Sequence, residues 1–361
     1  MNWNPWPSIK TALQMLFLAL MESAWIVGVG ALLSSLNMPQ SQIFAISSAA
    51  VVGLWVAGRG QGVGCDDECA TDMNTKPATV SVVIPVHNGM PHLAETLASV
   101  LNQTRMPDEI VVVENGSTDG TAEWLTEHAP AEVRVIVQPS MVSAAENFTS
   151  AIRSAGGDLV KLLCADDVLE PTSIEVQSRA LEQHPAAALA ASQRRIVDNW
   201  GSTVVSNRGL GRLNGEVDGR EVIRACALRG QNLLGEPCAV MFRRAAIDQH
   251  LPWDDSLPYV IDLDLYTRVL AYGTAVAIRE SLAQFRMSTG SWSTQLNDVQ
   301  RVQFEEWRDR AITTGLLELS PSELLRSRLM ARVQHALRRA AYRVTAIRAR
   351  RRPRATVRLS G

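Results

Sequence analysis

The chain has 361 residues, 46% of them apolar and 20% charged, which sets it apart from disordered chains and allows one large α/β domain with appendages or two modest domains. Its formal charge of −2 conceals an asymmetry, because beyond Pro321 a dozen arginines face the single acid Glu323. Five cysteines, an odd number without a paired framework, exclude a disulfide-stapled scaffold and indicate reduced thiols; Cys65 and Cys69 have no companions that would make them a metal site.

Residues 11–36 are long enough to span a bilayer, which takes roughly 20 apolar residues, although Glu22 interrupts them. A shorter apolar run covers residues 43–58. Lys10 precedes the first run and Arg59 follows the second, which suits a helical hairpin with the remainder on the cytoplasmic side. A reading frame extended upstream of Met73 and a buried helical pair are the alternatives. The expected organisation is an apolar extension and linker over 1–72, an α/β domain over 73–295 and a helical, Arg-rich tail over 296–361.

From Thr79 the pattern turns to alternating strands and helices. "TVSVVIPV" (79–86) is a β-branched run suited to a strand buried on both faces. Residues 90–103 follow, with Leu93, Leu97, Val100 and Leu101 at helical spacing. Runs at 109–113, 133–137 and 159–163 predict three more strands, and "TAEWLTEH" and "SAAENFTSAIRSA" predict the helices between them. This order implies a mostly parallel sheet flanked by helices, with ligands bound beyond the carboxyl ends of the strands.

Those ends are polar. The first runs into "PVHNG" (85–89), the second into "ENGSTDG" (114–120), where Thr118 or Asp119 would cap the next helix. The fourth runs into "LLCADDVLEP" (162–171), and adjacent carboxylates there call for a cation or donors to offset their repulsion. Mg2+ or Mn2+ takes such oxygens and keeps room for substrate phosphates.

The stretch "VSVVIPVHNGMPHLAETLASVLNQTRMPDEIVVVENGSTDGT" resembles the opening of family 2 glycosyltransferases, inverting enzymes of the GT-A fold, and "GGDLVKLLCADDVLEP" is similar to their metal-binding aspartate stretch. "LLGEPCAVMFRRAAID" (233–248) and "YVIDLDLYTRVLAYG" (259–273) resemble the acceptor side, so the likeness covers roughly residues 79–295 in matching order. It implies that Pro85, His87 and Asn88 border the nucleotide of a nucleotide-diphosphate sugar donor. Glu114 and Asn115 stand where the family usually carries two aspartates, the second of them holding the base. Asp166 would serve the ribose and Asp167 the Mn2+ or Mg2+ ion. Asp262 matches the general base, with Ile261 in place of the usual glutamate before it and Asp264 as a rival; taken as structure alone, Asp262 reads as a helix N-cap. Two departures stand out. Glu146 replaces a common arginine, and Ser288 replaces a histidine that often follows the closing arginine.

In the tail, Leu325, Leu329, Val333, Leu337, Val344 and Ile347 fall near one helical face amid arginines, the composition of a helix lying on an anionic membrane. A core-packing terminal helix with a basic end is the plainer alternative, and the scarcity of aromatics argues against nucleic acid. The expected function is therefore metal-dependent, inverting sugar transfer to a glycan or lipid-linked acceptor at the cytoplasmic face of a membrane, or in the cytoplasm. A polyprenyl-phosphate sugar transferase, a silent sugar-nucleotide-binding scaffold and a nucleotidyltransferase are the rivals. The last lacks its Gly-rich basic loop after the first strand.

Overall fold

A computed structural model describes residues 76–287, 296 and 299–351, with side chains to Ala341. The expected N-terminal hairpin and linker, Ser288, and the side chains of Val344 and Ile347 lie outside the described residues. From Pro77 onward the chain is one compact unit.

Its centre is a ten-stranded sheet along the path β3-β2-β1-β4-β9-β6-β10-β5, with β7 beside β6 and β8 beside β10. The strands are β1 (Val80–Val86), β2 (Glu109–Glu114), β3 (Val133–Val137), β4 (Leu159–Leu162), β5 (Val168–Leu169), β6 (Ala187–Asp198), β7 (Thr203–Arg208), β8 (Gly215–Asp218), β9 (Val240–Arg243) and β10 (Thr274–Met287). β3, β2, β1 and β4 are parallel neighbours, as are β6 and β10. β9 lies antiparallel between β4 and β6, so those two also share a direction. The carboxyl ends of β1, β2, β4, β6 and β10 therefore open on one edge, and β9 begins at that same edge.

Period-two alternation sorts β1 and β2 between two cores. Val83, Val111 and Val113 meet Ala151 and Ile152 of α3 (Ala144–Ser154) on one face. Val82, Ile84, Ile110 and Val112 meet Leu93 and Leu97 of α1 (Leu93–Leu101) and Leu125 of α2 (Thr121–His128) on the other. β3 forms where a strand was expected and is the sheet edge, with Val135 and Val137 exposed. Glu146 has a structural reason to be there. With Ser143 it closes a capping box on α3, each side chain accepting the other residue's backbone N–H.

Beyond α4 (Ser173–Gln183), α5 (Gly219–Arg229), the short α6 (Arg244–Ile247) and α7 (Ile261–Leu270), the C-terminal segment forms α8 (Gln300–Thr313) and α9 (Pro321–Arg351). These helices pack on the domain. Trp307 Nε1 of α8 donates to Thr267 Oγ1 of α7 at 3.0 Å, and α9 seats Met330 and Ala331 against Gly230, which ends α5 at φ 67° and leaves no room for a Cβ. The expected apolar stripe of α9 splits: Leu325 and Leu329 are exposed, Val333 and Leu337 half-buried, and Ser327, Met330, Ala331 and Gln334 face inward. Residues spaced by four advance about 40° per step around a helix, so the row drifts from solvent toward the core over three steps.

Candidate active site

Pro85 sits in a central strand without costing a ladder bond. The odd residues of β1 turn toward β4, and that pairing ends at Val83 opposite Leu162, so the missing N–H falls where the strands part. Asn88, at φ 55°, receives the Thr118 N–H at 2.8 Å, and its own N–H goes to Ser117 Oγ. His87 Nδ1 lies 2.9 Å from the Asn115 carbonyl. Asp119 does not cap α2, whose N-cap is Gly120 in the left-handed region. It instead accepts the Thr121 N–H and hydroxyl and the Met90 N–H, tying the two loops together, and these bonds hold its carboxyl below the usual range despite partial burial.

Glu114 and Asn115 flank this knot, both buried. The Glu114 carboxylate accepts the N–H groups of Gly116 and Ser117 and so shapes its own turn. Asn115 makes a two-point pair with the main chain of Val142, donating at 3.0 Å and accepting at 2.8 Å. An aspartate could not make both bonds, because it lacks the donor.

The two aspartates after β4 differ in environment. Asp166 is half-buried, whereas Asp167 is sealed. Asp167 Oδ1 accepts the Arg286 N–H at 3.0 Å; Oδ2 accepts no hydrogen bond from nitrogen or oxygen among the described residues, and the donor beside it is the weak Cys238 thiol. Burial first, then the neighbouring Asp166, pushes the Asp167 carboxyl well above the ordinary carboxylate range. Burial also raises Asp166, opposed in part by the charges of His92 and Arg286. The buried Arg286 guanidinium braces this loop, donating to the Asp166 carbonyl at 2.9 Å and to Glu95 at 2.6 Å.

Asp262 enters the same edge at the second residue of α7. It is not the N-cap; Val260 is, with no side-chain bond. Among the described residues no hydrogen bond or ion pair is found for its carboxylate, which burial and the charge of Glu236 push up to about 8. The rival Asp264 is committed elsewhere, pairing with Arg268 at 3.0 Å. Glu236 stands just before β9, paired with the buried Arg194 of β6, which holds its carboxyl below the usual range. Gly235, at φ 96°, admits that guanidinium, for a Cβ there would lie 2.5 Å from Arg194 Cζ.

Sequence reasoning assigned no role to Arg194, Glu236 or Arg286. The available signal was charge inside otherwise buried runs, as in "AALAASQRRIVD" (187–198), and a glycine directly before Glu236. Pro85, His87, Asn88, Glu114, Asn115, Asp166, Asp167 and Asp262 all fall on or just behind one edge of the sheet, where a donor nucleotide and an acceptor hydroxyl could meet.

Known proteins are similar to this chain in sequence, and a solved structure in fold. The sequence profile described as Glycosyl transferase family 2 matches residues 81–251, from β1 through α6. An uncharacterized protein of Mycobacterium tuberculosis is 24% identical over 72% of this chain and 82% of its own length. Chondroitin synthase of Escherichia coli is 26% identical over 54% of this chain, which spans only 27% of that larger protein. Among solved structures, S. aureus TarS 1-349 in complex with UDP-GlcNAc superposes with a TM-score of 0.50 at 16% identity, covering 63% of this chain and 66% of that one, a likeness of fold. Residues 81–251 thus form a glycosyl transferase family 2 domain, and the chain is a glycosyltransferase.

Proposed function

We propose that the protein is an inverting, metal-dependent transferase that moves a sugar from a nucleotide-diphosphate sugar to a hydroxyl of a glycan or lipid-linked acceptor. The observation that carries this reading is Asp262, a carboxylate without a hydrogen-bond partner among the described residues, raised to about 8, on the edge that also bears Asp166. A group so placed takes the acceptor hydroxyl proton as the oxygen bonds to the anomeric carbon from the face opposite the leaving diphosphate. The new C–O bond forms as the bond to the diphosphate oxygen breaks, which inverts the centre.

Among the described residues no cluster of three or more His, Cys, Asp or Glu could hold a metal alone. One half-buried carboxylate with waters and donor diphosphate oxygens is nonetheless a donor set that Mg2+ or Mn2+ accepts. The exposure difference favours Asp166 as the ligand with Asp167 behind it, where the sequence resemblance favours Asp167. A bound cation would offset the charge of the leaving diphosphate. Asn115 retains one lone pair and one N–H beyond its bonds to Val142, so the base is not restricted to uracil. Screening UDP-, GDP- and dTDP-sugars with Mn2+ or Mg2+ for nucleotide release is expected to give one preferred donor. No turnover with any donor, alongside retained binding, would favour a silent scaffold.

The outward face of α9 supports a location at an anionic membrane. Leu325 is 64% and Leu329 47% exposed. The exposed Arg326, Arg328, Arg332 and Arg339 around them have no ion-pair partner among the described residues. Apolar anchors ringed by free cations match a bilayer rich in acidic headgroups. Sedimentation of the full chain with phosphatidylcholine vesicles, with and without phosphatidylglycerol, tests this. The increment due to the anionic lipid is expected to vanish when all four arginines become glutamate, and to shrink in Leu325→Ser/Leu329→Ser. An increment that survives charge reversal would remove α9 from the membrane.

A further inference from the structure

One arginine of α9 turns inward. Arg338 donates through Nη1 to the Tyr259 hydroxyl, with its guanidinium carbon 5.3 Å from the centre of that ring. Tyr259 lies in the 3-10 turn Pro258–Val260 that leads directly into the helix bearing Asp262. Arg208 of β7 donates to Gln231 Oε1 at 2.7 Å, and its carbonyl accepts Arg194 Nη1 at 3.3 Å. Arg194 is the ion-pair partner of Glu236. Arg208 feels the charges of Arg194, Arg338 and Glu236, and Asp262 those of Glu236 and Arg194. Three guanidinium groups from distant parts of the chain thus gather around a single ionised carboxylate that also faces the base.

We propose that Arg194, Arg208 and Arg338 form a subsite for a phosphate group carried by the acceptor, next to the hydroxyl that Asp262 deprotonates. Arg208 has only an amide oxygen as a side-chain partner and Arg338 only a phenol and the Gln334 carbonyl, so both keep donors to spare. Among the described residues neither Arg208 nor Arg338 has an ion-pair partner, and Glu236 is spent on Arg194. Burial, then the charges of Arg194 and Arg338, lower Arg208 to about 10 against the opposing charge of Glu236, so the like charges there outweigh the single carboxylate. Planar guanidinium forks match phosphate oxygens in pairs, and two uncompensated positive charges suit a phosphate better than a single carboxylate.

This inference rests on the transferase reading for the neighbouring hydroxyl but is tested without turnover. Inorganic phosphate is titrated into the full chain with divalent cations chelated, which leaves the donor diphosphate site without its cation. Binding is expected, weakened at least tenfold by Arg208→Gln and by Arg338→Gln, with Arg338→Lys recovering part of it. Thermal melting of each variant separates a lost subsite from a lost fold. Phosphate binding indifferent to both arginines, or matched by glucuronate, would overturn the assignment. Donor turnover combined with indifference sinks the subsite alone, whereas arginine-dependent phosphate binding without donor turnover sinks the transferase reading and keeps the phosphate site.

Discussion

Asp166→Asn is expected to abolish the divalent-cation dependence of donor binding and to lower kcat/KM on the order of 100-fold, whereas Asp167→Asn keeps the metal dependence. The two residues are adjacent in sequence but not in circumstance. Asp166 reaches the edge of the sheet half-buried, and its carbonyl is pinned by Arg286 Nε. Asp167 is sealed, with its main-chain carbonyl on Thr96 Oγ1 and its Oδ1 on the Arg286 amide. Burial, and then the neighbouring Asp166, raises its carboxyl well above the ordinary range and so disfavours the charged form. An uncharged amide of the same shape is therefore a mild change there, costing roughly 1 kcal/mol for an imperfectly satisfied buried group. Donor titrations with Mn2+ and with a chelator, alongside thermal melting, read both outcomes. If metal dependence is lost in Asp167→Asn and kept in Asp166→Asn, the ligand is Asp167 after all and the loop must open to expose it.

That contrast marks where sequence reading stops. β1, β2 and β4 were legible because a strand covered on both faces must be apolar at every position, and their polar ends stood out against such runs. The boundaries of α2 came out as expected because its eight residues are bracketed by Gly120 and Ala129. What the pattern could not reveal was direction of approach. Adjacent aspartates look equivalent until Arg286, 119 positions after Asp167, places its amide on one of them. Glu114 and Asn115 read as one wall of a nucleotide pocket, yet their side chains spend bonds on Gly116, Ser117 and Val142. Arg194, Arg208 and Arg338 could not be grouped from sequence, since strand pairing and the docking of α9 bring them together. The apolar row of α9 misled because a spacing of four holds one face for only about two turns.

Asp262→Asn is expected to reduce transfer to a hydroxyl acceptor by roughly 100- to 10,000-fold, the usual share of a general base, with donor affinity unchanged. The wild-type pH profile should carry the same signature. A base must be ionised, so kcat/KM should rise about tenfold per pH unit toward 8 and level off above it. Glu236→Gln removes the charge that opposes ionisation and leaves Arg194 to favour it, so the inflection should move to lower pH. Stability runs the other way. A carboxyl raised above its unfolded value of 3.8 binds its proton more tightly in the folded chain, so stability is lost as pH climbs from about 4 to about 8. Asp262→Asn carries no such cost, and it should melt above wild type at pH 8 and together with it near pH 4. If Asp262→Asn turns over normally with a flat profile, the attacking group needs no base. The phosphate held by Arg208 and Arg338 would then itself be the nucleophile, as in a polyprenyl-phosphate sugar transferase.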